Sequence, residues 1–179
     1  MIIDKLIRSC CIDRAMIPAF DENGYLPPGL HGATLEEFKT RFVDDVVESE
    51  TRTDIYAGYL KYSEDLSTLD ILIKQWLDGS FTTKKINPND LDLFSQVDAL
   101  KLNNKYICDQ FLRLVVNKNQ SNRKLLNTKY NCDPFAIAVY PQGHKLYNMT
   151  AKTINYWLTS FGHDMKVPGK PPKGIIDLK

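Results

Sequence analysis

Two aspartates separated by one residue are the part of the sequence best suited to chemistry. Asp90 and Asp92 alternate with leucines in the segment Asp90-Leu91-Asp92-Leu93. Because side chains alternate along a strand, both carboxylates point to one face, about 7 Å apart. Like charges at that separation repel each other unless a cation lies between them. Hard oxygen ligands of this kind suit Mg²⁺ or Mn²⁺, so the pair predicts a divalent-metal site.

A glycine and a serine precede this pair at a short distance. Gly79 and Ser80 end an apolar stretch, and residues 81–89 connect them to the aspartates. Gly79 lets a ligand approach the backbone closely, and Ser80 offers a hydroxyl and an amide to a phosphate. Lys84 and Lys85 lie on the connecting loop, within reach of a triphosphate. A solvated edge strand is the alternative for the two aspartates, and the Gly-Ser spacing favours the metal site over it. For Lys84 and Lys85 the alternative is a solvated loop, which is the more common place for such a pair.

Hydrophobic periodicity predicts the elements that must position these residues. A proline- and glycine-rich arm over 17–32 is expected to be ordered and extended. A capping box at Thr34 and Glu37 begins the first of five predicted helices, which cover 35–47, 51–66, 99–117, 121–130 and 146–161. Strands are predicted over 69–80, 89–97 and 132–141, with 174–178 as a candidate closing strand. The almost unbroken apolar run in 132–141 predicts a central strand, and the whole order predicts a mixed α/β fold.

Composition limits the class of protein. The 179 residues are 43% hydrophobic and 25% charged, which fits one globular domain and excludes disorder, collagen-like repeats and coiled coil. No apolar run approaches the roughly 20 residues of a membrane helix. Asp4 and Asp13 interrupt what would be a signal's apolar stretch, so a cytoplasmic protein without a membrane partner is expected. The adjacent Cys10 and Cys11, with Cys108 and Cys132, show neither zinc spacing nor a disulfide framework, which predicts reduced thiols.

The small net charge of +1 hides an uneven distribution of charge. Residues 1–70 contain 14 acidic and 7 basic side chains, whereas residues 71–179 contain 8 acidic and 16 basic ones. The segment 110–132 has five bases and no acid. This asymmetry predicts either a polyanionic ligand on the basic half or two halves that complement each other in the fold.

The Gly-Ser and Asp-Leu-Asp-Leu segments resemble the motif of the nucleotidyltransferase superfamily, which includes polymerase beta and the minimal nucleotidyltransferases. The segments FDENGYLPPGLHGATLEEFKTRF, WLDGSFTTKKINPNDLDLF and KPPKGIIDL are also similar to those of a family of small prokaryotic proteins assigned to that fold. The resemblance covers residues 17–178. It implies a single nucleotidyltransferase-like α/β (α+β) domain over 1–179, with a small mixed sheet, helices packed mainly on one side and an N-terminal helical extension. Residues 1–68 would form the arm and first helices, and residues 69–179 the catalytic core and C-terminal tail.

The resemblance also implies an activity, namely metal-dependent transfer of a nucleoside monophosphate from an NTP to a hydroxyl, with release of pyrophosphate. Asp90 would bridge two Mg²⁺ or Mn²⁺ ions, and Asp92 would complete the nucleotide-side ion. Asp133 is the candidate third carboxylate, which would hold the second ion and help deprotonate the hydroxyl. Pro134 departs from the family pattern, in which an apolar residue more often follows that carboxylate. Binding of the β- and γ-phosphates would fall to Gly79, Ser80, Lys84 and Lys85.

Several alternatives stay open at this point. The acceptor could be a protein side chain, the 3′ end of a tRNA or a small molecule, and the oligomeric state is open. Asp133 could instead cap its strand or form a turn with Asn131. A catalytically inactive member would bind a nucleotide or a partner protein, for example in a toxin–antitoxin or phage-defence system, with Pro134 marking decay of the third position. The intact Gly-Ser and paired aspartates argue against full decay.

Overall fold

A computed structural model describes residues 17–179 of the chain. The predictions made for Asp4, Asp13, Cys10 and Cys11 therefore lie outside the described residues. Within this range the chain forms five strands and five α-helices, in the order β1 Gly29–Ala33, α1 Leu35–Lys39, α2 Arg52–Ser67, β2 Leu72–Asp78, β3 Leu91–Asp98, α3 Lys105–Leu114, α4 Arg123–Tyr130, β4 Cys132–Val139, α5 Tyr147–Phe161 and β5 Gly174–Leu178.

The five strands form one mixed sheet with the order β1-β5-β2-β3-β4. The pairs β1–β5 and β3–β4 are parallel, whereas β5–β2 and β2–β3 are antiparallel. The predicted mixed α/β fold is confirmed. Part of the predicted extended arm enters the sheet as β1, and the candidate closing strand becomes the inner strand β5, so the sheet joins the two ends of the described chain.

The expectation of a central place for the strand at 132–141 is wrong, because β4 is an edge strand with β3 as its sheet neighbour. Pro134 lies within β4 and has no amide hydrogen to donate, which suits an edge strand. The strand is apolar because helices cover both of its faces. Cys132 packs into the core beneath α4, and Phe135 packs against α5 on the opposite face.

The helices divide unequally between the two faces of the sheet. Helices α1 to α4 contribute to the larger core, to which Phe38, Tyr59, Tyr62, Phe111 and Leu126 belong. Helix α5 covers the other face, where Trp157 and Phe161 contact Phe94. The predicted capping box is present: the Thr34 hydroxyl accepts from the Glu37 amide at 3.2 Å. The helix predicted over 35–47 ends earlier, because the α-helix gives way to a π-helical turn at Thr40–Asp44.

None of the helices formed by residues 17–179 has the length and apolar character needed to cross a membrane.

Candidate functional site

Three aspartates lie side by side on the face of the sheet that α5 covers. Asp78 at the end of β2 pairs in register with Asp92 on β3, and Asp92 pairs with Asp133 on β4. The next row along the same face is aromatic, formed by Trp76, Phe94 and Phe135. The antiparallel β2–β3 pair creates the row because the end of β2 meets the start of β3. The predicted Gly-Ser and Asp-Leu-Asp-Leu segments are therefore neighbours.

Gly79 makes the turn from β2 into the phosphate-binding loop predicted from the sequence. Its φ is +87°, in the region that favours glycine, and a Cβ added there would collide with Oδ2 of Asp92. Ser80 then begins a short 3₁₀ turn, Ser80–Thr82. Its hydroxyl has no hydrogen-bond partner among residues 17–179 and is free for a ligand.

A cavity of about 600 Å³ opens beside these residues. Five of the predicted site residues line it, namely Gly79, Ser80, Lys84, Lys85 and Asp92. Asp90 and Asp133 lie next to Asp92 without lining the cavity. The cavity is also lined by Tyr25 of the N-terminal arm, Trp157 of α5 and the segment 163–166. The Tyr25 hydroxyl donates to the Asp164 carboxylate at 3.0 Å, which connects the arm with that segment.

The carboxylates of Asp90 and Asp92 lack a cationic partner within the described chain. Burial is the largest cause that raises the pKa of Asp92, to about 6, and the charges of Asp90 and Asp133 add to it. Burial and the neighbouring Asp133 also raise the pKa of Asp90. One hydrogen bond reaches Asp90, from Nδ2 of Asn127 at 3.1 Å. Two desolvated carboxylates with raised pKa values form a place where a cation would be favoured.

Asp133, in contrast, already has a cation. Nε of Arg123 donates to its Oδ2 at 2.6 Å, and Nη2 of Arg123 contacts the same oxygen. Nδ2 of Asn127 lies 3.4 Å from the other oxygen, Oδ1. The Asp133 side chain is 3% exposed and that of Arg123 is 42% exposed. Arg123 also lines the cavity.

The third aspartate of the row, Asp78, is neutralised by a residue from the C-terminal tail. Nζ of Lys173 lies 2.6 Å from both Asp78 oxygens, and the two side chains are 7% and 5% exposed. Burial raises the pKa of Asp78 to about 7, and the Lys173 charge opposes this shift. No local sequence pattern links the two residues of this pair, because they are 95 positions apart.

The loop with the two predicted phosphate-binding lysines is held by one buried arginine. The guanidinium of Arg52, on α2, donates to five backbone carbonyls, those of Phe42, Phe81, Thr83, Lys85 and Ile86, at 2.6–3.2 Å. Arg52 is 1% exposed. The ammonium groups of Lys84 and Lys85 have no ion-pair partner in the described part of the chain. The loop is fixed, whereas its lysine side chains remain available to a ligand.

Residues 18–179 match the model of a family described as a family of unknown function, DUF6932. The chain belongs to this family. No curated protein and no solved structure matches it significantly. The DUF6932 region includes every residue that lines the cavity, together with Asp90 and Asp133, so the candidate site lies wholly within it. The family description gives no activity, and the nucleotidyltransferase resemblance stays a prediction.

The donor set fits one divalent cation better than two. Asp90 and Asp92 offer unpaired carboxylate oxygens of the kind that Mg²⁺ prefers. In residues 17–179, however, no group of three or more His, Cys, Asp or Glu side chains is arranged to hold a metal ion as it stands. The predicted third ligand is engaged, because Arg123 occupies the Asp133 carboxylate.

Proposed function

We propose that the protein transfers a nucleoside monophosphate from an NTP to an acceptor hydroxyl and releases pyrophosphate, with a divalent cation bound at Asp90 and Asp92. One observation carries this proposal: the cavity is lined by the Asp92 carboxylate and by two lysines, none of which has an ion-pair partner among the described residues. The two lysines, Lys84 and Lys85, belong to the loop that follows Gly79 and Ser80 and line the same cavity as Asp92. A metal–triphosphate complex would satisfy both sets, because the carboxylates bind the metal and the lysines bind the phosphates.

The residues of this chain would then have separate tasks. The Gly79 backbone, the Ser80 hydroxyl and the two loop lysines bind the β- and γ-phosphates and orient the α-phosphate. The acceptor oxygen forms a bond to that phosphorus, the bond to pyrophosphate breaks, and the hydroxyl proton leaves to a base. A bound divalent cation supplies charge stabilisation for the attacking and leaving oxygens. The role predicted for Asp133, as ligand and base, requires Arg123 to leave its carboxylate.

A second candidate function, nucleotide binding without transfer, is favoured by the same Arg123 contact. A guanidinium on the third carboxylate is compatible with a protein that retains the binding cavity and lacks catalysis. Both candidate functions include nucleotide binding, but only the first includes transfer. The test therefore needs one measurement of binding and one of transfer.

Thermal unfolding with each NTP, with and without Mg²⁺ or Mn²⁺, measures binding. At a ligand concentration about a hundred times Kd, we expect an increase in Tm of about 5–10 °C. The increase should require the metal and disappear in Asp90→Asn and Asp92→Asn. Asp98→Asn is the matched control, since Asp98 lies at the other end of β3 and accepts from the Leu100 amide.

Transfer is then measured with the preferred NTP labelled at the α-phosphate. Incorporation of the label into a protein, a tRNA or a small molecule identifies the acceptor class. If Asp90→Asn abolishes this incorporation, the result supports the proposed enzyme. A metal-dependent increase in Tm without incorporation into any of them supports the binding protein. No increase with any nucleotide contradicts both.

A further inference from the structure

The row of three aspartates has a resident cation at each end and none in the middle. Lys173 neutralises Asp78 on β2, and Arg123 neutralises Asp133 on β4. Asp92, between them on β3, and the neighbouring Asp90 have no ion-pair partner in the described residues. The negative charge left for a ligand to compensate is therefore concentrated at the middle of the row, on Asp92 and the neighbouring Asp90.

The contact of Arg123 with Asp133 is built from several interactions. Two guanidinium nitrogens reach one carboxylate oxygen, and Nη1 is 3.3 Å from Oε1 of Gln120. The guanidinium carbon also lies 5.7 Å from the centre of the Phe135 ring. An arginine with two nitrogens on one oxygen of a buried carboxylate makes a strong, charge-assisted contact. With Asn127 near the other oxygen, Asp133 has little remaining capacity for a metal ion.

Sites that use two metal ions place them about 3.5–4 Å apart to stabilise the attacking and leaving oxygens. In this protein a fixed positive charge already lies at the carboxylate expected to hold the second ion. We propose that the site takes a single divalent cation, at Asp90 and Asp92, and that the Arg123 guanidinium replaces the second. This inference rests on the proposed function and changes the predicted number of ions from two to one. Asp133 is then a positioning residue for Arg123, and the exposed part of the guanidinium faces the substrate's phosphates in the cavity.

The number of bound ions tests this inference without any turnover. Free Mn²⁺ is followed by electron paramagnetic resonance as the protein is titrated with Mn²⁺ in the presence of a non-hydrolysable NTP analogue. We expect a single Mn²⁺ per chain for the wild type. Arg123→Ala frees the Asp133 carboxylate and should bind a second ion, whereas Arg123→Lys keeps a positive charge and should stay at one.

Arg113→Ala is the matched control, because Arg113 is an exposed arginine on α3 without an ion-pair partner in the described chain, and it should also stay at one. Two ions in the wild type, or one in both the wild type and a folded Arg123→Ala, would overturn the inference and leave the proposed function standing. No bound Mn²⁺ in the wild type with nucleotide would overturn the proposed function as well. If Arg123→Ala fails to fold, the number of Mn²⁺ ions bound by the wild type still tests the inference, because two ions would overturn it.

Discussion

Gly79 is the residue at which backbone conformation and the candidate site depend on each other most directly. A side chain there meets two obstacles, a φ of +87° and a collision with the Asp92 carboxylate. We expect Gly79→Ala to lower the free energy of unfolding by about 2–4 kcal/mol, since strain and collision add. Gly143→Ala isolates the strain, because Gly143 has a φ of +89° and open space around it. Gly143→Ala should lower the free energy of unfolding by only about 1–2 kcal/mol. Equal losses of unfolding free energy in the two variants, measured by urea unfolding, would contradict a contribution from the collision.

Asp92 makes stability depend on pH. Its pKa is about 6 in the folded protein, above the ordinary value of 3.8 expected in the unfolded chain. The folded state therefore holds this proton more tightly, and the resulting stabilisation, complete below about pH 4, is lost as the pH rises through 6. Without divalent cations, Asp92→Asn should raise the free energy of unfolding at neutral pH by about 1–3 kcal/mol. The same substitution should abolish metal-dependent nucleotide binding.

Urea unfolding at a series of pH values between 4 and 8 measures this effect. The slope of stability against pH in that range should flatten in Asp92→Asn. Asp98→Asn serves as control, because an amide oxygen can replace the carboxylate that accepts from the Leu100 amide. An unchanged slope in Asp92→Asn would show that this carboxyl is not the group responsible.

At the scale of elements, hydrophobic periodicity predicts most of the helices and strands but not the order of the strands in the sheet. Strands β2 and β3 and helix α5 were predictable because each carries its own repeating pattern of buried residues. The apolar run in β4 alone predicts a central strand and does not reveal that β4 lies at the edge of the sheet. Pro134 was the available signal, since proline within a sheet is confined to edges and bulges. Strand β1, GLHGA, has no alternation, and it forms through pairing with the distant strand β5.

The residues of the candidate site likewise include some that the sequence groups together and some that it does not. Gly79, Ser80 and Asp92 could be grouped from the sequence because one antiparallel strand pair joins them within a short stretch of chain. The Lys173–Asp78 and Arg123–Asp133 contacts could not, because each depends on where a helix or the C-terminal tail packs. Sequence spacing thus predicts the ligands of the site better than the charges that neutralise them.

The loop between β2 and β3 depends on helix α2 through Arg52. Burial lowers the pKa of Arg52 to about 10, but its guanidinium remains charged at neutral pH. Removing it in Arg52→Met would leave five carbonyls without this donor, so we expect a loss of at least about 3 kcal/mol of unfolding free energy. Hydrogen exchange over residues 81–86 should also become faster. The exposed Arg113→Met should change neither measurement, and protected loop amides in Arg52→Met would refute the role of Arg52.

In the part of the molecule that the structure describes, two ion pairs join the acidic and basic halves of the sequence. Within the described residues, Asp65–Lys129 and Asp70–Lys101 connect residues 1–70 with residues 71–179, and all four side chains are at least 40% exposed. Surface pairs of this kind contribute about 0–1 kcal/mol each. Between the described residues of the two halves, ion pairs therefore contribute little to stability. Free lysines at the cavity agree better with the other prediction, a polyanionic ligand.

Strand β5 ties the candidate site to the stability of the whole sheet. It lies between β1 and β2, and its buried Ile175 and Ile176 belong to the cores on opposite faces. Removing residues 174–179 would open the sheet and uncover both cores, so we expect no cooperative unfolding transition by circular dichroism or tryptophan fluorescence. Removing only Lys179 takes away one hydrogen bond, to the Ala33 carbonyl, and should cost about 0.5–1.5 kcal/mol. A cooperative transition in the longer truncation would mean that β5 is an accessory strand and that Lys173 is not held near Asp78 by the sheet.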